Sequence, residues 1–183
     1  VYTIDSAASQ VRFQLDEDLR GVRTTVVGIT DQVAGQLSLN LGDLSQTQVG
    51  VIQINARTLV TDNNFRNRAI QNEILDTGDY EFITFTPTGI EGLPASAAIG
   101  ETVSFTLVGD LTIRDVTKPV VLEAELDGFM DKDAFGKRRV AFSAETEINR
   151  KEFGVNWNGV IEGGGVVVGD KVKVELNIAA TQN

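Results

Sequence analysis

The sequence predicts an all-β, antiparallel fold, a barrel or sandwich of about eight strands with one helix. Three observations predict it. Apolar residues fall on every second position through most of the 183 residues. Eighteen glycines against three prolines supply turns without breaking strands. Only one stretch, about residues 62–75, repeats its apolar side chains at helical spacing.

The strongest signal is Val103 to Leu126, V-S-F-T-L-V-G-D-L-T-I-R-D-V-T-K-P-V-V-L-E-A-E-L. Val103, Phe105, Leu107, Leu111 and Ile113 alternate along one strand; Val120, Leu122, Ala124 and Leu126 alternate along the next, after a link over Arg114 to Pro119. Gly109 has no side chain to pack, so a bulge or sharp bend is expected there.

The other elements follow in order. Val1 to Ile4 is a lead-in, Ser6 to Ser9 a turn, and Val11, Phe13 and Leu15 mark the first strand. Asp16 to Arg23 is charged and reads as a loop or helical turn. Strands follow over Thr24 to Thr30, over Gln32 to Asn40 with Leu37 and Leu39 on one face, and over Val49 to Leu59. Thr61 or Asp62 is the N-cap candidate of the helix, which carries Phe65, Ala69, Ile70 and Ile74 on one side. Glu81 to Thr88 is a strand and Gly89 to Gly100 a loop of small residues. After the hairpin come a turn-rich connection over Asp127 to Lys137, a strand from Val140 to Ile148, an aromatic and glycine-rich stretch from Asn149 to Gly165, and a last strand from Val166 to Ile178. No linker or repeat divides the chain, so residues 1–183 form one domain.

Composition narrows the function. A formal net charge of −10 argues against nucleic acid as a partner, although a local basic cluster could hold one anionic head group. Without cysteine or histidine, thiolate chemistry, disulfides and the commonest metal ligands and acid–base catalysts are unavailable. No metal site is expected. No apolar run approaches the roughly 20 residues of a helical membrane span. The segment M-D-K-D-A-F-G-K superficially resembles a calcium loop through Asp131, Asp133 and Gly136. It places Phe135 and Phe142 at ligand positions and reads instead as a hairpin turn.

Two constellations remain. Phe13, Leu15, Leu37, Leu39, Phe105 and Leu107, with Leu111, Phe142, Phe153, Trp157, Val172 and Val174, share the inward phase and either fill a core or line an apolar cavity. Arg66, Arg68, Arg114 and Arg150, with Lys118 and Lys151, form a basic set in an acidic chain. They serve either a head group or neighbouring carboxylates such as Asp115 and Glu152.

At G-D-L-T-I-R-D-V-T-K-P-V (109–120) and N-R-K-E-F-G-V-N-W (149–157) the chain resembles the YceI-like polyisoprenoid-binding proteins. Y-T-I-D-S (2–6) with V-R-F (11–13), E-F-I-T-F (81–85) and V-G-D-K-V-K-V-E-L (168–176) agree in the family's order. The resemblance implies a lipocalin-like barrel with a capping helix. It implies an isoprenoid tail in the lumen, no catalytic residues, a periplasmic or secreted location, and a homodimer for which no stripe in the sequence marks an interface. The family tends to carry R-D-x-H-L where this chain has Arg66-Asn67-Arg68-Ala69-Ile70, and often a lysine and histidine where Asp16, Glu17 and Asp18 stand. Those departures imply a different head group, or a neutral quinone-like lipid. The expected function is binding, transport or sequestration of a long-chain isoprenoid or related lipid. The alternatives are an enzyme using buried carboxylates or Tyr80 on an apolar substrate, and a solid-core structural or interaction module.

Overall fold

Fourteen strand segments form one curled antiparallel sheet in the computed structural model, which describes residues 1–130, 132–158, 160–161 and 164–183. The count exceeds eight because several short strands of two or three residues are added to the long staves. The main wall runs through β2 (Gln10–Leu19), β14 (Lys171–Gln182), β11 (Arg139–Asn149), β10 (Val116–Met130), β9 (Val103–Ile113), β8 (Phe82–Glu91) and β7 (Ile52–Asn55). Its ends meet along a short seam. β3 (Val22–Thr30) pairs with β2, β4 (Val33–Ala34) pairs with β7, and Ile29 exchanges backbone hydrogen bonds of 2.9 and 3.0 Å with Val60. The small strands β1 (Tyr2–Ile4), β5 (Gln36–Ser38) and β6 (Gln48–Val49) close one end. β12 (Val160–Ile161) and β13 (Gly164–Val168) extend the other beside β2.

Several boundaries differ from the expectation. The charged segment Asp16 to Arg23 is not a loop: β2 and β3 run through it and reverse at Arg20 and Gly21, whose φ angles are 54° and 80°. Asp16, Asp18 and Arg23 share the outer phase, where Asp16 accepts from Arg23 at 2.6 Å, and Glu17 turns inward to Arg66, so the charges do not interrupt the pleat. The link after β9 is likewise shorter than Arg114 to Pro119, since β10 begins at Val116 and Pro119 lies opposite Asp110. A proline is tolerated there because β10 meets β11 only from Glu123 onward, which leaves this stretch as an edge.

Gly109 stays in register with Val120, and the bulge falls on β8 instead, between Pro87 and Gly89. The last strand breaks at Gly169–Asp170 into β13 and β14, which keep β2 as their common partner. The loop expected from Gly89 begins later, because β8 continues to Glu91. β10 likewise continues to Met130 into the connection expected from Asp127.

The helix is short. α1 spans Asn64–Ala69 and continues as a π turn over Ile70–Ile74. Neither Thr61 nor Asp62 caps it. Asn63 does, accepting from the Phe65 and Arg66 amides, while Thr61 is engaged by Asn67 at 2.7 Å. Phe65, expected on the apolar side, is 82% exposed. The face turned to the barrel is Arg66, Ile70 and Ile74, four residues apart. Among the described residues no helix is long and apolar enough to cross a membrane.

Candidate functional site

The inward phase does not enclose one elongated lumen. It encloses two apolar cavities stacked along the barrel. The upper, about 170 Å³, lies beneath α1 and is lined by Phe13, Leu15, Trp157, Val172 and Val174, together with Val26, Ile83, Ile113, Ile148 and the helix residues Ile70, Ile74 and Leu75. The lower, about 60 Å³, is lined by Leu37, Leu39, Phe105, Leu107, Phe142 and the side chains around them. Phe105 and Phe142 meet edge to face there, with centroids 6.4 Å apart. Two of the twelve expected lumen residues line neither cavity. Leu111 packs between them, and Phe153 is sealed at 2% exposure in the 3₁₀ turn Arg150–Phe153.

Sequence reasoning missed the helix and β8 contributions. Helical spacing from Arg66 through Ile70 to Ile74 could have found the first. Glu17 was missed because a carboxylate was not expected on the apolar phase. Continuing the alternation from Phe13 and Leu15 puts it there.

The four arginines expected at a head group separate. Arg66 is at the upper cavity. Its Nη2 donates to Glu17 at 2.6 Å and its Nη1 to Asp62 at 2.7 Å, so the charge at the mouth is compensated. Arg68 turns away and stacks over the exposed Phe65 ring at 6.0 Å. Arg114, in the β9–β10 turn with φ of 55°, lies 5.7 Å over Tyr80, and its buried Nε finds no hydrogen-bond acceptor among the described residues. Neither residue lines the cavity.

Arg150 lines the cavity but is committed elsewhere. It is 5% exposed and donates to the carbonyls of Gly169, Val155, Trp157 and Val168 and to the side chains of Asn158 and Asp170. A guanidinium has five N–H donors in a fixed fork, and here they tie the 150–158 loop to the bulge before β14. That arrangement is a structural clamp.

The lid is fastened by side chains. Besides Arg66–Glu17, the Trp157 indole donates to Glu73 at 3.0 Å. Arg57 holds the lid's exit through the carbonyls of Thr77 at 2.8 Å and Gly78 at 3.3 Å.

Among the described residues Glu17 is the one carboxylate that lines either cavity. Asp133 folds the hairpin turn, accepting from the Phe135 and Lys137 amides, and Arg139 sits beside it. Those amide hydrogen bonds, led by Lys137, hold its carboxyl below the usual range. Asp131 lies outside the described residues. No cluster of potential metal ligands is present among the described residues.

One antiparallel barrel with an apolar interior and a helix laid across one mouth is the architecture of the lipocalin-like barrels. The chain belongs to the YceI-like domain family, whose profile matches residues 2–180. Among relatives, a UPF0312 protein of Staphylococcus aureus strain bovine RF122 / ET3-1 is 28% identical over 180 residues, which cover 96% of this chain and 94% of that protein. The crystal structure of Burkholderia cenocepacia BcnA superposes with a TM-score of 0.69 at 18% identity, covering 96% of this chain and 98% of that one. A polyisoprenoid binding domain from Saccharophagus degradans, implicated in plant cell wall breakdown, gives 0.69 at 16% identity, with coverages of 100% and 98%. At these identities the structural likeness establishes the fold.

Proposed function

We propose that this chain binds the apolar tail of an isoprenoid or related lipid, entering at the helix-capped mouth, and acts as a carrier or sequestering protein rather than an enzyme. The observation that carries this reading is the cavity of about 170 Å³ beneath α1, lined almost wholly by hydrocarbon. It is kept apolar where core packing would ordinarily fill space. The polyisoprenoid-binding neighbour supports the same class of ligand. The lone cavity carboxylate, Glu17, is spent on Arg66, which supports binding over acid–base catalysis.

The cavity is below the roughly 300–1,000 Å³ of typical ligand sites, so a long tail requires the lid to swing outward. The lid's side-chain fastenings favour that motion over any opening of the sheet, whose long staves are joined by backbone ladders. The compensated Arg66–Glu17 pair at the mouth favours a neutral head, quinone or alcohol, over a phosphate. A phosphate would have to compete with Glu17 for the guanidinium.

The test is native mass spectrometry of protein purified without detergent and then offered prenyl alcohols and a quinone. The reading predicts a stoichiometric adduct that Ile74→Trp, which fills the cavity, removes, and that the outer-face change Glu123→Gln leaves intact. A wild-type protein that takes up none of these lipids contradicts it.

A further inference from the structure

We propose that the barrel's waist, with Phe85 as its largest member, is a stop that sets how far a tail can enter from the helix-capped mouth. The inference rests on the tail-binding reading and adds to it the residue that limits tail length.

On β9, β11 and β8 the division between the cavities follows successive inward positions, while on β14 Val174 of the upper cavity is followed directly by Leu176 of the lower. On β9, Ile113 lines the upper cavity, Leu107 the lower, and Leu111 neither. On β11, Ile148 belongs to the upper cavity and Ala144 to the lower, with Thr146 between them. On β8, Ile83 lines the upper cavity, and the next inward residue, Phe85, lines neither and is 4% exposed. Leu111, Thr146 and Phe85 therefore stand between the two cavities, and Phe85 is the aromatic member.

The seat of that ring is built into the sequence. A Cβ at Gly109 would stand 2.5 Å from Phe85 Cζ and 2.6 Å from the Thr86 carbonyl oxygen, so the ring lies against bare backbone on the neighbouring strand. The mid-strand glycine thus serves the ring and not a bulge of its own. Held this way in dense packing, the ring cannot turn aside without displacing Leu111 or the β9 backbone. The upper cavity of about 170 Å³ is close in size to an engineered cavity of about 150 Å³ that takes a benzene. It suits roughly one terminal isoprenyl unit, and further units must cross the waist or stay outside.

Trp157 is the one tryptophan in the chain and lines the upper cavity, so its emission reports entry. The experiment titrates prenol, geraniol and farnesol into wild type, Phe85→Ala and Phe85→Leu. Wild type is expected to gain little from prenol to geraniol. Phe85→Ala is expected to gain at least about tenfold over that step, from burying another isoprenyl unit, with prenol binding unchanged. Phe85→Leu retains more of the core and should fall between, which keeps the test usable if the alanine variant folds poorly. Affinity that climbs equally with chain length in wild type and variants overturns the stop while leaving tail binding standing. No binding of any alcohol to any of the three overturns the tail-binding reading itself, and the stop with it.

Discussion

The two ends of the barrel are built by the same alternation and closed in different ways. At the lower end, β1 is hydrogen-bonded between β14 and β5, and Leu126 and Ala180 are completely buried. At the upper end the cover is six residues of α-helix and a π turn, which make no ladder with the wall. They leave Phe65 and, on the β2–β3 tip, Val22 largely exposed. A strand lid is held by main-chain bonds that must all break together, whereas a helical lid keeps its own backbone bonds when it lifts and loses only side-chain contacts. The larger cavity lies under the cover that is cheaper to move. A π turn in such a lid fits the tendency of these turns to occur at functional sites.

The largest expected effect is at Arg150, which anchors the upper end through its buried guanidinium. Arg150→Ala should cost about 3–5 kcal/mol in denaturant unfolding, because four backbone carbonyls lose their donor in a buried site. Arg150→Lys should recover only a small part of that, since an ammonium cannot reproduce the fork. A loss near zero would mean the upper end is not clamped as described.

The waist gives the next effect. Gly109→Ala forces the added methyl into the Phe85 ring and the Thr86 carbonyl and should cost about 1–3 kcal/mol. Gly78→Ala, with nothing within 4 Å, should change stability by no more than about 0.5 kcal/mol. Equal effects at the two glycines would deny the close approach at the waist.

Loosening the lid should cost less and show mainly in kinetics. Arg66→Ala removes a partly exposed ion pair worth about 1 kcal/mol or less, yet should speed uptake of a prenyl alcohol measured by stopped-flow Trp157 fluorescence. Unchanged uptake with unchanged stability would show that this pair does not fasten the lid.

The smallest effect is in acid. The Asp16 carboxyl is held below its usual range chiefly by the Arg23 hydrogen bond, Asp133 by the Lys137 amide, and Glu175 by the Lys173 ammonium. Their folded forms bind protons less readily than the unfolded chain. The stability they contribute is therefore present at neutral pH and lost as pH falls below about 4. Thermal midpoints measured across that range should decline gently, and the decline should be shallower in Asp133→Asn.

The β9–β10 hairpin was legible because strict period-two alternation survives every turn in it. The β2–β3 hairpin was obscured because Asp16, Glu17 and Asp18 look like a loop, although Leu15, Leu19 and Val22 keep phase and Arg20-Gly21 has the chemistry of a tight primed turn. Alternation names the residues that face inward, and Phe13, Leu107 and Val174 all do so. It cannot say whether opposing side chains meet, because that depends on summed volume in each layer, and Phe85 seated on Gly109 occupies space between the two cavities. The clamp at Arg150 was not legible for a different reason. Its acceptors are backbone carbonyls delivered by a loop and a bulge, and main-chain positions leave no mark in residue identity.

A crystal structure of the protein with farnesol would show whether the hollow under α1 receives a lipid tail. Density for the chain's end is expected between Phe13, Ile74 and Trp157, stopping above Phe85, with α1 displaced outward. A refined structure with the cavity empty and farnesol lying only on the outer face of the sheet would contradict it.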